Sequence, residues 1–80
     1  MYSNAIRSIH DVFPNNPDTL EFHRKTGEIY YIAAGSTPSG RFKFAVATVE
    51  GQVLKISEED YESSSDALHV GMKEAQNIRQ

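Results

Sequence analysis

Apolar residues recur along the chain with two periods, and the switch between them marks where helix gives way to strand. In Ser3–Phe13 they fall at Ala5, Ile6, Ile9, Val12 and Phe13, the offsets of three and four that line one side of a helix. Ser3 or Asn4 can cap its start, and Pro14 and Pro17 end it, with Asn15-Asn16 in the turn between them. So short a helix holds only if it docks on something. From Thr19 the period becomes two: Leu20 and Phe22 alternate with Glu21 and His23. Arg24–Gly27 reads as a turn, and Glu28–Ala34, rich in β-branched and aromatic residues, as a second strand. Gly35–Gly40 is a loop. Arg41–Val49 sets Phe42, Phe44 and Val46 on one face and Arg41, Lys43, Ala45 and Ala47 on the other. Glu50-Gly51 turns the chain into a last strand, Gln52–Ile56.

The C-terminal segment returns to the helical period, with Ala67, Leu68, Gly71, Met72, Ala75 and Ile78 forming a stripe. Ser63 with Asp66 has capping-box spacing, and Arg79 at the other end suits the helix dipole. Gly71 lies on the stripe, where its missing side chain allows close approach of helix to sheet. The order is therefore α-β-β-β-β-α in a single domain, residues 1–80. The expected fold class is α+β: a three- to four-stranded antiparallel meander with the C-terminal helix and the short N-terminal helix on one face. The opposite face, with Tyr30, Tyr31, Ala45, Ala47 and Val49, is then more apolar than open solvent favours. That expectation makes it a surface for a second copy of the chain or a protein partner. The strand edge near Thr19–Arg24 offers another.

Composition narrows the chemistry. Apolar residues make up 39% and charged residues 24%, a globular balance. There is no cysteine, which excludes disulfides, thiolate catalysis and zinc–sulfur sites. The apolar runs Ile29–Ala34 and Phe44–Val49 are too short to span a bilayer, and Arg7, His10 and Asp11 interrupt any leader-like stretch. The expected location is cytoplasmic, without membrane attachment.

Charge is uneven within the net −3. Residues 1–49 carry five Lys/Arg against four acids, whereas residues 50–80 carry three against seven. The acidic run Glu58, Glu59, Asp60 and Glu62 suits a turn before a helix N-terminus. As a binding feature it would meet a basic groove, so one alternative is a small inhibitor, phage-encoded, of a nucleic-acid enzyme. Its spacing is not that of a calcium loop. His10, His23 and His69 fall on three segments with no metal-ligand spacing. No nucleophile elbow surrounds Ser63–Ser65, and Gly35–Gly40 lacks a phosphate-loop ending. No cofactor and no enzymatic activity are expected. A nucleic-acid-binding sheet is a further alternative, because Arg24, Lys25, Arg41 and Lys43 interleave with Phe22, Tyr30, Tyr31, Phe42 and Phe44. Alternation places Phe42 and Phe44 opposite Arg41 and Lys43, and the net charge is negative, so the residues argue against it.

Over Gly40–Met72 the chain resembles the YegP-like family of small bacterial proteins. The residues are Gly40-Arg41-Phe42-Lys43-Phe44, Glu50-Gly51-Gln52-Val53-Leu54, Ser57-Glu58, Tyr61-Glu62-Ser63, Ala67 and Gly71-Met72. The resemblance implies three strands followed by a helix and no defined activity. The step from Ser57-Glu58 to Tyr61 is longer than the family's, and no second repeat is present. The element order is also similar to that of double-stranded-RNA-binding domains, but Glu62–Ala67 stands where those carry phosphate-gripping lysines. The leading expectation is a non-enzymatic interaction module.

Overall fold

The computed structural model describes residues 2–78, with side chains from Asn4 onward. Helix α1 (Tyr2–Val12) precedes strands β1 (Asp18–His23), β2 (Ile29–Ser36), β3 (Phe42–Thr48) and β4 (Val53–Ile56), and helix α2 (Ser64–Asn77) follows. The strands form one antiparallel meander in the order β1-β2-β3-β4. The fold is α+β with the α-β-β-β-β-α order that the hydrophobic periods predict. Helix α1 starts at Tyr2, ahead of the expected Ser3 or Asn4 cap. The Ser3 side chain and the expected Arg79 at the end of α2 lie outside the described residues.

One loop design makes all three hairpins. The residue before each three-residue loop accepts from the loop's glycine: Arg24 O from Gly27 N, Thr37 O from Gly40 N, Thr48 O from Gly51 N. These glycines hold φ of 101°, 82° and 99°, a left-handed conformation that closes such a loop and that other residues strain to adopt. Repeated short turns fix strand register, so Tyr30 faces Thr48, Ile32 faces Val46 and Ala34 faces Phe44 across β2 and β3.

Alternation then divides the central strands between two cores. Tyr30, Ile32, Ala34, Phe44 and Val46 pack with Ala67 and Ala75 of α2. Tyr31, Ala33, Ala45 and Ala47 pack with Ala5 and Ile9 of α1 and with Phe13 just beyond it. The two helices therefore lie on opposite faces, not on the shared face expected from the sequence. The reason is in β2 and β3 themselves: residues 30–35 and 44–47 are buried without a break. A strand apolar on both sides requires a layer on each.

Close approach is built differently on the two sides. A Cβ at Gly71 of α2 would stand 2.6 Å from Ile32 Cγ2, so the bare backbone there lets α2 settle on the sheet as expected. On the other side the bare backbone belongs to the sheet, where the Phe13 ring rests on Gly35. Ser63 caps α2, its hydroxyl accepting from Asp66 N at 3.1 Å. Arg24 closes the far end, Nη1 donating to Ile78 O at 2.8 Å and to the Tyr30 hydroxyl at 3.2 Å.

Candidate functional site

The residues expected to form an open face do not reach solvent. Tyr30, Tyr31, Ala45 and Ala47 are at most 5% exposed, and Val49 is half-buried against the α1 core. Tyr30 does not share a side with the others: it lies under α2, with the Arg24 guanidinium 5.7 Å from its ring centre. The open-face surface is thus closed by α1 within one chain, and the case for a partner on that face falls with it. Among the described residues, two large apolar side chains stay exposed, Ile6 at 38% on α1 and Ile56 at 44% on β4.

The acidic run is partly tied down. Glu58, Glu59 and Glu62 are exposed, but Arg41 Nε donates to Asp60 Oδ1 at 2.5 Å and Arg41 Nη2 to Asp60 O at 3.3 Å. That hydrogen bond raises the Arg41 pKa further above its ordinary value. Nearby, Lys55 Nζ donates to Glu74 Oε1 at 2.5 Å, which likewise raises the Lys55 pKa. The segment reads as a β4–α2 connection held by ion pairs on both sides. Among the described residues, no three His, Asp or Glu side chains converge on one point. No described helix is long and apolar enough to cross a membrane. Phe44 is buried under α2, away from any base-stacking surface.

Among the described residues, what remains open is an edge of the sheet. Sheet order makes β1 and β4 the two outer strands. They are not alike. β4 is four residues long and bulged, with Leu54 and Lys55 together opposing Val46, and the chain beyond it folds back to bridge Tyr61 to Phe42. Shortness and bulging are two of the devices that blunt an edge. β1 is six residues long and pairs with β2 without interruption from Asp18↔Ala34 to His23↔Ile29.

The hydrogen-bond parity of β1 follows from its turn. Arg24 N donates to Glu28 O at 2.9 Å, and bonded pairs alternate with unbonded ones along an antiparallel ladder. Phe22 and Leu20 therefore direct their amides and carbonyls toward β2. Thr19, Glu21 and His23 direct theirs outward, and all three residues are exposed. On the α2 side Leu20 and Phe22 are half-buried against that core. On the α1 side Glu21 Oε2 and His23 Nε2 lie 2.6 Å apart, and the Tyr31 hydroxyl donates to Glu21 Oε1 at 3.4 Å. One end of this edge is anchored, because Arg24 ties the β1–β2 turn to the C-terminal end of α2. The alternation and an edge near Thr19–Arg24 are both expected from the sequence, and strand order places β1 outermost; that the opposite edge, β4, is short and bulged is not. Compared with protein-family models, with curated proteins and with solved structures, the chain matches none.

Proposed function

We infer that the protein is a non-catalytic interaction module that receives an extended segment along the free edge of β1. The observation that carries this is the unbulged edge whose outward amides and carbonyls, at Thr19, Glu21 and His23, are flanked by half-buried Leu20 and Phe22. Main-chain hydrogen bonds supply affinity in such strand addition, and the alternating side chains supply selectivity. The acidic inhibitor is a weaker reading, because Arg41 already occupies Asp60 in the middle of the run. A nucleic-acid platform is weaker still, since its aromatic residues Tyr30, Tyr31 and Phe44 are core. The YegP-like resemblance covers β3, β4 and the start of α2, and would add no activity to this reading.

The test is a panel of synthetic six-residue peptides alternating Val with Lys, with Glu or with Thr, at millimolar concentration. The expected result is slowed amide exchange at Thr19, Glu21 and His23, with Leu20 and Phe22 unchanged, and loss of the effect in Glu21→Pro. Proline at an outward position removes an edge donor while sparing the β1–β2 ladder. No protection from any peptide overturns the reading.

A further inference from the structure

We propose that the segment received by this edge is β1 of a second copy of the chain, paired antiparallel about a two-fold axis at Phe22; this rests on the reading of the β1 edge given above. A two-fold axis makes the contact self-complementary, so each position i meets a fixed position j on the other copy and the reverse. Ladder parity then admits few registers, because outward-facing Thr19, Glu21 and His23 must oppose one another.

Three registers give useful overlap, and they differ in chemistry. Centring on Leu20 brings Pro17 opposite His23, and proline has no amide to donate. Centring on Glu21 sets the two Glu21 carboxylates directly opposite, a destabilising like-charge pair. Centring on Phe22 sets Glu21 opposite His23 twice, once on each side of the axis. Within one chain these two groups already meet at 2.6 Å, so the dimer would assemble two carboxylates and two imidazoles in alternation on the α1 side. The Tyr31 hydroxyl faces this cluster through Glu21. On the α2 side the two Phe22 rings meet at the axis as an unbonded pair, the closer-spaced kind in an antiparallel ladder. Leu20 falls opposite the stem of Arg24, whose guanidinium stays on Ile78 O. Leu20 and Phe22 are only half-buried in one chain, so pairing adds to their burial.

A contact along one six-residue edge is smaller than the roughly 1,200 Å² of a stable interface, so the dimer is expected to be weak and concentration-dependent. Sedimentation equilibrium of the whole chain from about 10 μM to about 1 mM, spanning the range of such weak affinities, should show monomer and dimer exchanging. His23→Glu replaces both favourable pairs with like charges and should weaken association about tenfold. The double variant Glu21→His/His23→Glu restores both pairs, because position 21 faces position 23, and should recover the dimer. Circular dichroism checks that each variant is folded, and both altered side chains are exposed. A chain that stays monomeric at 1 mM overturns the second copy while the peptide panel still tests the edge. A dimer that His23→Glu leaves unchanged overturns the register, and so does a double variant that fails to recover. A dimer that persists in Glu21→Pro is formed elsewhere and overturns the second copy at this edge, while the peptide panel still tests the edge itself.

Discussion

The two faces of the sheet solve one packing problem in opposite ways. Under α2 the sheet supplies the bulk, as Tyr30, Ile32, Phe44 and Val46, and the helix supplies Ala67, Gly71 and Ala75. Under α1 the sheet supplies mostly small residues, Ala33, Ala45 and Ala47 beside Tyr31, and the other large buried groups come from Ile9 of the helix and Phe13 beyond it. Large groups opposite small ones fill each interlayer space to native density. The inversion places the strongest links differently. Bulk carried by the sheet joins strand to strand as well as strand to helix. Bulk carried by α1 joins only α1 to the sheet. Such a layer can open locally while the rest of the fold persists.

Truncating the bulk on each face is the most severe way to break this comparison. Phe44→Ala should cost about 3–5 kcal/mol, a large share of the stability of a domain this size, and should lower amide protection throughout. Ile9→Ala should cost about 2–4 kcal/mol, with exchange speeding up in α1 first and β2 and β3 holding their protection. Denaturant titration with residue-resolved exchange measures both, and equal loss of protection in α1 and α2 would show that the faces are not independent.

Filling the two bare backbones sharpens the same contrast. Gly71→Ala gains helix propensity but drives a methyl group against Ile32, for a net loss of about 1–2 kcal/mol in urea unfolding. Gly35→Ala pushes Phe13 aside, and its loss should appear as faster exchange in α1 rather than α2. Removing the cap with Ser63→Ala should cost about 1 kcal/mol, read as a lower thermal midpoint, with α1 unaffected.

The smallest effect is electrostatic. The Thr26 hydroxyl, and then Arg24, hold the Glu28 carboxyl below its usual pKa. A carboxyl depressed on folding contributes stability above its unfolded pKa and loses it as pH falls through the folded value. Stability should therefore fall slightly below about pH 4.5, more in the native chain than in Glu28→Gln, as followed by urea midpoints at pH 7 and pH 3.

Much of the architecture was legible because it is local. Period two marks Leu20–His23 and Phe42–Val46, the helical offsets mark Ala5–Phe13 and Ala67–Ile78, and Ser63 sits where a cap belongs. The face chosen by α1 was not legible from its own stripe, because an amphipathic helix shows that it needs a surface and not which one. The usable signal lay elsewhere, in Tyr30–Gly35 and Phe44–Ala47, whose unbroken apolar runs need cover on both sides. Ala45 and Ala47, expected on a face for a second copy or a protein partner, are instead the small residues on which the closely packed α1 rests. The edge shows a similar division. Leu20, Glu21, Phe22 and His23 alternate plainly and an edge is expected there, yet that edge stands out only when the opposite one, β4, proves short and bulged.

The sequence by itself determined the elements, their order and the hairpin loops, because period, capping and left-handed glycine turns act over a few residues. Only the tertiary structure decided which face each helix covers and that, of the two outer strands, β4 is the short and bulged one. Those outcomes depend on how distant segments share the two sides of one sheet, and no local pattern encodes that competition.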